Sequence, residues 1–371
     1  MSHKVVVAMS GGVDSSVAAG LLCEQGYDVV GLFMRTGVSA PAAPEEPNAG
    51  RHQGCCSASD AADARFVAGQ LGIPFYALNF EQEFGTLIDY FADEYSHGRT
   101  PNPCVVCNNK LKFGRLVEYA DAVGADYIAT GHYARIDRSH GAPRLLRGID
   151  ARKDQSYVLF GIQRGVLDRM LLPIGDLAKP EVRARARRLG LPNADKPDSV
   201  EICFVPDRDY ARVVRERRPE AFRPGKIVAG DGVVMGAHAG IGHYTIGQRH
   251  GLGIAAGRPV YVTAINVADR TITIGDRHEL LCAGLVADRC NYLADVPHGE
   301  FRAEVKIRYL HRAAPATIES RGAGSTRTAR VIFDEPQPAI TPGQAAVFYD
   351  GDLVLGGGWI ERSLPGSQPP A

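Results

Sequence analysis

The sequence lacks an excess of charge of either sign, because its 42 Lys and Arg residues balance its 42 Asp and Glu residues. A general affinity for nucleic acid is therefore excluded, and any contact with RNA or DNA must come from local patches. It also lacks an apolar run approaching the roughly 20 residues that cross a bilayer. Met1 leads into the strand-like Val5–Val7 without an export signal. We expect no membrane association and a cytoplasmic location.

Cysteine is too sparse for a disulfide scaffold, since 371 residues contain only eight. In a reducing compartment these residues are thiols, ligands or catalysts. Cys104 and Cys107 have Cys-x-x-Cys spacing, and Cys55 and Cys56 are adjacent. The stretch from Thr36 to Gly54 shows no periodicity, and we expect a long mobile loop there.

Hydrophobic residues make up 45% of the chain and charged residues 23%, which is typical of a globular protein of two or three domains. The first 200 residues alternate strand-like and helix-like segments, which predicts an α/β domain with a parallel sheet. We predict strands over Lys4–Met9, Val29–Met34, Phe75–Phe80 and Tyr127–Thr130, and helices over Ser15–Gln25, Asp60–Leu71, Glu83–Tyr95, Asn108–Lys112 and Phe113–Val123.

After about Pro206 the pattern changes to short alternating runs separated by hairpin turns, which predicts a mainly β region. Turns of this kind are Gly230-Asp231-Gly232, Ala268-Asp269-Arg270 and Asp350-Gly351-Asp352. We predict four segments: an N-terminal α/β domain over 1–206, a small central mainly β domain over 207–282, a C-terminal β-barrel over 283–363, and a flexible tail over 364–371.

The strongest motif is Ser10-Gly11-Gly12-Val13-Asp14-Ser15-Ser16, between the first predicted strand and the first predicted helix. Its glycines let the backbone approach a polyphosphate, and its hydroxyls and free helix N–H groups are donors for phosphate oxygens. It lacks the Gly-Lys-Ser/Thr ending of a Walker A loop and is not a dinucleotide fingerprint. The motif predicts an anion site and resembles the loop of the pyrophosphate-loop ATPases, which implies ATP binding.

A second motif places Cys107 after Pro101-Asn102-Pro103-Cys104. The prolines disfavour helix ahead of Asn108, so we expect Cys107 at a helix N-terminus, where the dipole stabilises a thiolate. Cys107 is therefore a candidate nucleophile. Cys203 lies nearly 100 residues later in Ile202-Cys203-Phe204.

Taken together, these motifs resemble the family of bacterial tRNA-specific 2-thiouridylases. The blocks that carry the resemblance run in order along almost the whole chain: Ser10–Ser16, Gly31–Met34, Gly98–Pro103, Cys107-Asn108, Lys112-Phe113, Ala129–Tyr133, Leu145–Gly148, Lys153–Tyr157, Ile202–Phe204, Pro224–Lys226, Gly247–Ile254, Phe333–Pro336, Thr341–Gln344 and Gly356–Gly358. At Cys104 the family more often has an acidic residue.

The resemblance implies a tRNA sulfurtransferase that replaces oxygen by sulfur at C2 of the anticodon wobble uridine. It implies an adenine-nucleotide α-hydrolase-like first domain, Cys107 as catalytic nucleophile and Cys203 as persulfide carrier. The implied ATP contacts are Ala8, Met9, Ser10, Gly11, Gly12, Val13, Asp14, Ser15, Met34 and Gly131. The implied tRNA contacts are Asn102, Pro103, Cys104, His132, Lys153, Asp154, Gln155, Arg308, Tyr309 and Gln344. We expect ATP with Mg²⁺, no permanently bound cofactor or metal, a persulfide donor fed by a cysteine desulfurase, and a monomer.

The chemistry explains why two thiols and ATP belong together. C2 of uracil is a poor electrophile, so adenylation of its oxygen with pyrophosphate release makes a leaving group. Sulfur from a Cys203 persulfide is then delivered, and Cys107 attacks the persulfide bond, which leaves a Cys107–Cys203 disulfide. Alternatively Cys107 liberates hydrosulfide first. Both routes require the two thiols to approach within disulfide range.

Three other functions stay open from the sequence. A pyrophosphate-loop synthetase without sulfur transfer, such as an argininosuccinate, GMP or lysidine synthetase, would share the ATP site. Cys104, Cys107 and Cys203, with Cys55 and Cys56, could instead bind zinc or an iron–sulfur cluster. A pure RNA-binding scaffold is the third possibility.

One local basic cluster is visible, because the stretch from Lys179 to Arg223 carries 12 Lys or Arg residues and 8 Asp or Glu residues. Arg183, Arg185, Arg187 and Arg188 fall on one predicted helical segment. Either they form a solvated helix face or they contribute to RNA binding.

Overall fold

The computed structural model describes residues 2–37, 58–198, 202–297 and 299–366. The predicted long loop from residue 38 onward, with Cys55 and Cys56, lies outside the described residues, as does the end of the predicted tail. The chain divides into two units: Met1–Leu87, Cys104–Asp209 and Asp352–Val354 form the first, and Ile88–Pro103, Tyr210–Gly351 and Leu355–Ala371 form the second. The domain boundaries at 206 and 282 stay predictions.

The first unit is built on a parallel sheet. Its strands are β1 (Lys4–Ala8), β2 (Asp28–Arg35), β3 (Phe75–Asn79), β4 (Tyr127–Thr130), β5 (Ala134–Asp137), β6 (Arg144–Arg147) and β7 (Met170–Leu171). Five of them form the sheet in the order β3-β2-β1-β4-β7, all parallel, while β5 and β6 form an antiparallel hairpin in which Leu146 of β6 pairs with Leu353. The apolar run Val5–Val7 in β1 is completely buried at the centre of this sheet, which is typical of a parallel sheet covered on both faces.

The helices that begin in this unit are α1 (Val13–Glu24), α2 (Ala58–Leu71), α3 (Glu81–Ser96), α4 (Pro103–Val106), α5 (Leu116–Ala122) and α6 (Lys179–Arg188), with a π-helical segment over Cys107–Arg115 between α4 and α5. The sequence predicted one buried face for α1. Instead, all residues from Val13 to Leu22 except Asp14 are buried. Since α1 packs against β1 and β2 as well as α2 and α6, the small side chains Ala18, Ala19 and Gly20 allow close approach on several sides.

The second unit contains α7 (Tyr210–Arg217) and the strands β8 (Gly225–Ala229), β9 (Val234–His238), β10 (Tyr261–Asn266), β11 (Thr271–Gly275), β12 (Leu281–Tyr292), β13 (Glu300–Lys306), β14 (Ala314–Arg321), β15 (Thr328–Pro338), β16 (Ala345–Asp350) and β17 (Leu353–Pro365). The first four strands form one sheet, ordered β10-β11-β8-β9, over a core that includes Ile227, Val262 and Ile272. The predicted small β domain is thus confirmed.

The remaining strands form a closed barrel. Their order is β12-β15-β14-β13-β16-β17, and β12 also pairs with β17, which removes the free sheet edges. The predicted turns at Gly230–Gly232, Ala268–Arg270 and Asp350–Asp352 each connect two strands. The predicted fold class is therefore confirmed. Among the described helices, none combines the length and the apolar character needed to cross a bilayer.

Candidate active site

The predicted ATP residues lie at the carboxyl edge of three neighbouring strands. Ala8, the last residue of β1, is in register with Leu32 of β2 and with Thr130 of β4. Met34 and Gly131 therefore follow at the same edge as the loop that leaves β1. In parallel sheets this edge is where ligands bind.

The loop from Ser10 to Ser16 is held by its own hydroxyl groups. The Ser15 hydroxyl accepts a hydrogen bond from the Ser10 backbone N–H at 3.1 Å and donates to the Gly12 carbonyl at 3.1 Å. The Ser16 hydroxyl donates to the same carbonyl at 2.9 Å. Gly11 has a φ of +74°, and a side chain there would collide with the Asp60 carbonyl, so only glycine fits. Gly12 then caps α1, whose first turn provides free N–H groups.

Gly131 packs directly against this loop. A Cβ atom at position 131 would lie 2.6 Å from the Ser15 nitrogen and 2.7 Å from the Asp14 carbonyl carbon. The absence of a side chain on Gly131 therefore lets β4 approach the first turn of α1.

Two side chains that follow α6 in the chain also donate hydrogen bonds to the loop. Asn193 donates to the Gly11 carbonyl at 3.1 Å and to the Ser16 hydroxyl at 2.8 Å, and Lys196 Nζ donates to the Gly11 carbonyl at 3.2 Å. Lys196 also contacts Asp60 at 2.6 Å and Asp63 at 2.7 Å. Burial opposes the charge of Lys196, but these two carboxylates outweigh it and raise the pKa of its ammonium.

Asp14 is the acidic residue of the loop, and both of its oxygens are bound. The Tyr133 hydroxyl donates to Oδ1 at 2.7 Å, and Lys179 Nζ donates to Oδ1 at 2.8 Å and to Oδ2 at 2.9 Å. Burial, and then the charge of Asp14, raises the pKa of Tyr133, so its hydroxyl stays a donor at neutral pH.

Lys179 continues the network to Asp198. Its Nζ lies 2.7 Å from Asp198 Oδ1, which Arg183 contacts at 3.1 Å, while Lys153 Nζ contacts Asp198 Oδ2 at 2.6 Å. Burial alone would raise the pKa of Asp198, but the hydrogen bonds from Lys153 and Lys179 reverse this and lower it. Three cations and two carboxylates thus meet beside the loop, and the carboxylate of Asp150 accepts the Lys179 backbone N–H at 3.0 Å.

Four predicted tRNA contacts belong to the first unit near this network. His132 is buried, and its Nδ1 lies 2.7 Å from the Thr130 hydroxyl. Burial, and then Lys112, lowers its pKa well below the usual 6.5, so the ring is neutral at pH 7. Asp154 accepts hydrogen bonds from the backbone N–H groups of Gly148 and Ser156 and from the Ser156 hydroxyl.

The two neighbours of Asp154 also have contacts within the chain. The Gln155 side-chain carbonyl accepts the Tyr133 N–H at 2.9 Å, and Lys153 contacts Asp198 as described. Gln155 therefore fixes the backbone of the tyrosine that binds Asp14.

Apart from the residues that directly precede Cys107, the other predicted tRNA contacts lie in the second unit. Gln344 donates to the carbonyls of Thr100 at 3.1 Å and Pro101 at 2.9 Å, and so holds the chain just before Asn102 and Pro103. Arg308 donates to the Pro338 carbonyl at 3.4 Å, and the Lys306 ammonium lies 5.5 Å from the centre of the Tyr309 ring. Asn102 and Tyr309 are partly exposed.

The thiols lie in the first unit, where Cys104 is exposed and both Cys107 and Cys203 are partly buried. The expectation that Cys107 begins a helix is wrong. The helical run begins at Pro103, because proline fits the first helical position although it breaks a helix interior. Cys104 is therefore in the first turn, and Cys107 begins the π-helical segment one turn later.

Cys203 is followed by Phe204, whose ring packs edge-on against Phe84 with centroids 5.8 Å apart. Within the described part of the chain, no three His, Cys, Asp or Glu side chains are grouped so that they could hold a metal ion. Cys104, Cys107 and Cys203 thus form no such group here.

Comparison with known proteins decides the family. Residues 3–207 match the model described as "tRNA methyl transferase HUP domain", 212–276 the "tRNA methyl transferase PRC-barrel domain" and 282–360 the "Aminomethyltransferase beta-barrel domain". The tRNA-specific 2-thiouridylase MnmA of Rhodopirellula baltica is 48% identical over 99% of this chain and 100% of its own length. That of Symbiobacterium thermophilum is 50% identical over 98% of this chain and 93% of its own length. The chain belongs to the tRNA-specific 2-thiouridylase MnmA family.

Among solved structures, a 4-thiouridine synthetase–RNA complex with bound ATP is 16% identical with a TM-score of 0.35, and the match covers 58% of this chain and 53% of that chain. This value is below the level at which a structural match supports an argument.

Membership of the MnmA family confirms the resemblance seen in the motifs, but sequence reasoning missed several residues of the site. Lys179 and Arg183 were assigned to a basic cluster with a solvated or RNA-binding face. In the structure Lys179 is buried against Asp14 and Asp198. A lysine as the first residue of a helix is a signal that could have marked it, because the positive end of the helix dipole disfavours a cation there.

Proposed function

We propose that this chain is an ATP-dependent tRNA sulfurtransferase that replaces O2 of the anticodon wobble uridine with sulfur. The observation that carries the proposal is the position of the Ser10–Ser16 loop at the carboxyl edge of the parallel sheet, in the same unit as Cys107 and Cys203. The curated relatives, named for tRNA 2-thiolation and matched over nearly their full length, support the same reaction.

The loop residues would bind ATP through backbone N–H groups and serine hydroxyls. Met34 in β2 and Gly131 after β4 lie at the same sheet edge as the loop, which supports them as contacts of the rest of the nucleotide. A magnesium ion held by phosphates and water needs only one or two carboxylates, and Asp14 would supply one from the loop through oxygens that it shares with Tyr133 and Lys179. Such an ion would neutralise charge on the departing pyrophosphate.

Activation of the uridine would use the α phosphate of ATP. The uridine O2 attacks it, pyrophosphate leaves, and the base then carries AMP as a leaving group in place of an unreactive oxygen. The free N–H groups of the first turn of α1 and the serine hydroxyls of the loop support an anionic substrate and product at this edge.

Sulfur would arrive as a persulfide on Cys203. Its terminal sulfur attacks C2 of the uridine, and AMP leaves with the former O2. The Cys107 thiolate then attacks Cys203 Sγ, and the thiouridine sulfur takes the electron pair of the broken S–S bond. The sulfane sulfur is thereby reduced while the two thiols are oxidised to a disulfide. In the alternative order, Cys107 attacks first and releases hydrosulfide, which then adds to C2.

The disulfide must be reduced before the next turnover, which fits a cytoplasmic enzyme supplied with cellular thiols. The persulfide would come from a donor fed by a cysteine desulfurase. Since one unit contains both thiols and the loop, a single chain suffices, and we propose that a monomer is active.

The anticodon loop is single-stranded, so the wobble uridine can leave the stack without the loss of a base pair. Asn102, Pro103 and Cys104 immediately precede the Cys107 segment along the chain, which supports them as contacts of the target base. We propose His132, Lys153, Asp154, Gln155, Arg308, Tyr309 and Gln344 as further tRNA contacts or supports of such contacts.

The test compares Cys107→Ser and Cys203→Ser with Cys282→Ser, a partly buried cysteine of β12 outside the proposed site. Each protein receives ATP, unmodified tRNA and a persulfide donor, and 2-thiouridine is measured by mass spectrometry of digested tRNA. We expect Cys107→Ser and Cys203→Ser to lose product and to keep ATP binding, and Cys282→Ser to keep both. Normal product from the Cys203 variant would refute the persulfide route.

The rival functions give different results in the same preparation. A synthetase without sulfur transfer would consume ATP without forming any thiolated nucleoside. A cluster enzyme, purified without air, would contain iron and absorb visible light, and it would lose both on substitution of Cys104, Cys107 or Cys203. A binding scaffold would release no pyrophosphate in the presence of tRNA.

A further inference from the structure

The position of Lys179 in its own helix is unfavourable. It is the first residue of α6, where the helix dipole presents positive charge, and its side chain is buried with only 10% of its surface exposed. Burial of an ammonium is costly unless carboxylates compensate it. A lysine at this position does not stabilise the helix, so we explain it by the groups that its side chain contacts.

The partners of Lys179 are one residue of the ATP loop and one residue outside it. Its Nζ binds both oxygens of Asp14, at 2.8 and 2.9 Å, and Asp198 Oδ1 at 2.7 Å. With the Tyr133 hydroxyl on Oδ1, the Asp14 carboxylate has three short hydrogen bonds that fix its rotation. The ammonium lies between two carboxylates that would otherwise repel each other across the first turn of α1.

The proposed ATP loop has no lysine of its own, unlike a Walker A loop. We propose that Lys179 is the positioning residue of the loop: it fixes the Asp14 carboxylate in the orientation that receives the nucleotide, and Asp198 fixes Lys179. The inference rests on the proposed function, since it takes ATP as the ligand of the loop. It adds a residue from a helix about 165 positions away to a site whose motif ends at Ser16.

Asp198 in turn has two further cations. Lys153 binds its Oδ2 and Arg183 its Oδ1, so the charge of Asp198 is compensated even while it shares Lys179 with Asp14. Lys179 can therefore contact Asp198 and keep its hydrogen bonds to both oxygens of Asp14.

The test is a double-substitution cycle on ATP affinity, measured by titration calorimetry with ATP on the full chain. The variants are Lys179→Met, Asp14→Asn and their combination, and Arg187→Met is the matched control. Arg187 lies on the same helix and pairs with Asp195 at 2.6 Å on the surface, away from the loop. We expect Lys179→Met to weaken ATP binding about tenfold or more, and Arg187→Met to change it less than about twofold.

The decisive comparison is the effect of Lys179→Met in the Asp14→Asn background. If Lys179 acts through Asp14, Lys179→Met weakens ATP binding less than about twofold further in a protein that already carries Asp14→Asn. Lys179→Arg keeps the positive charge and the ability to donate to both Asp14 oxygens, so it should recover part of the affinity lost in Lys179→Met. If the pair between Lys179 and Asp14 were only structural, its loss would lower the thermal stability, but the effects of the two substitutions on ATP affinity would not show this non-additivity.

The inference is overturned if Lys179→Met binds ATP as well as the unsubstituted protein, or if its effect is the same with and without Asp14. Should Lys179→Met fail to fold, Lys179→Gln is measured in both backgrounds under the same criterion. A chain that binds no ATP at all refutes the proposed function. A chain that thiolates tRNA but shows an additive cycle refutes only the role of Lys179.

Discussion

The contact between Gly131 and the loop allows a prediction from geometry alone. In Gly131→Ala the new methyl carbon would lie 2.6 Å from the Ser15 nitrogen and 2.7 Å from the Asp14 carbonyl carbon, closer than side-chain carbons approach such atoms. Both are backbone atoms at the start of α1, so they cannot rotate away, and the loop or β4 must shift. Overpacking of this kind costs about 1–3 kcal/mol. We expect a lower melting temperature and, because the displaced atoms belong to the loop proposed to bind ATP, at least about tenfold weaker ATP binding.

The matched control is Gly69→Ala in the interior of α2, where a new methyl group meets nothing within 4 Å. Alanine is the better helix residue by about 0.5–1 kcal/mol, so this variant should melt at the same temperature or higher and bind ATP normally. Thermal unfolding and titration calorimetry on both variants measure the two effects. A Gly131→Ala protein with unchanged melting temperature and unchanged ATP affinity would refute the steric argument.

Three further predictions use other parts of the site. Asp14→Ala should abolish pyrophosphate release and leave tRNA affinity nearly unchanged, as measured by a pyrophosphate assay and by filter binding; normal thiolation would contradict the ATP assignment. Gln344→Ala leaves two carbonyls without their donor, costs about 1–3 kcal/mol, and should weaken tRNA binding while ATP binding persists; unchanged tRNA affinity would contradict it. Buried neutral His132 predicts that stability falls as pH drops below 6.5, by up to about 1.4 kcal/mol per pH unit. Urea unfolding of His132→Asn should show a flatter profile; an identical slope would contradict this.

The elements that local pattern defines were predicted correctly. Four of the five strands of the parallel sheet, all but β7, and the hairpin turns of the β region depend on residues close together in the chain, namely apolar runs and Gly- or Asp-containing turns. The boundaries are within one or two residues of the prediction for β1 and β4. The buried surface of α1 was underestimated because burial on several sides depends on which helices pack beside it, and the sequence of α1 does not contain that information.

The segment around Cys107 shows where a local rule has two outcomes. Proline disfavours helix in the residue before it, yet its fixed φ fits the first helical position. Pro103 takes the second role, so the helix begins four residues earlier than Cys107. The π-helical segment Cys107–Arg115 has no sequence signature either, because i to i+5 bonding depends on packing and not on residue type. A thiol at the start of such a segment was therefore not predictable from the spacing of prolines and cysteines.

Residues that act on the loop from a distance were the hardest to predict. Asn193, Lys196 and Lys179 lie more than 160 positions after the loop in the chain, and each donates to a loop carbonyl, hydroxyl or carboxylate. The sequence around these three residues looks like an ordinary basic helix followed by a turn. Charge alone does not distinguish a solvated lysine from a buried one. The distinction requires the topology: β4 pairs with β1, β7 pairs with β4, and α6, which follows β7 in the chain, packs on α1. When a phosphate-binding loop has no lysine of its own and a later helix packs beside it, the first residue of that helix is therefore a position at which to look for the cation.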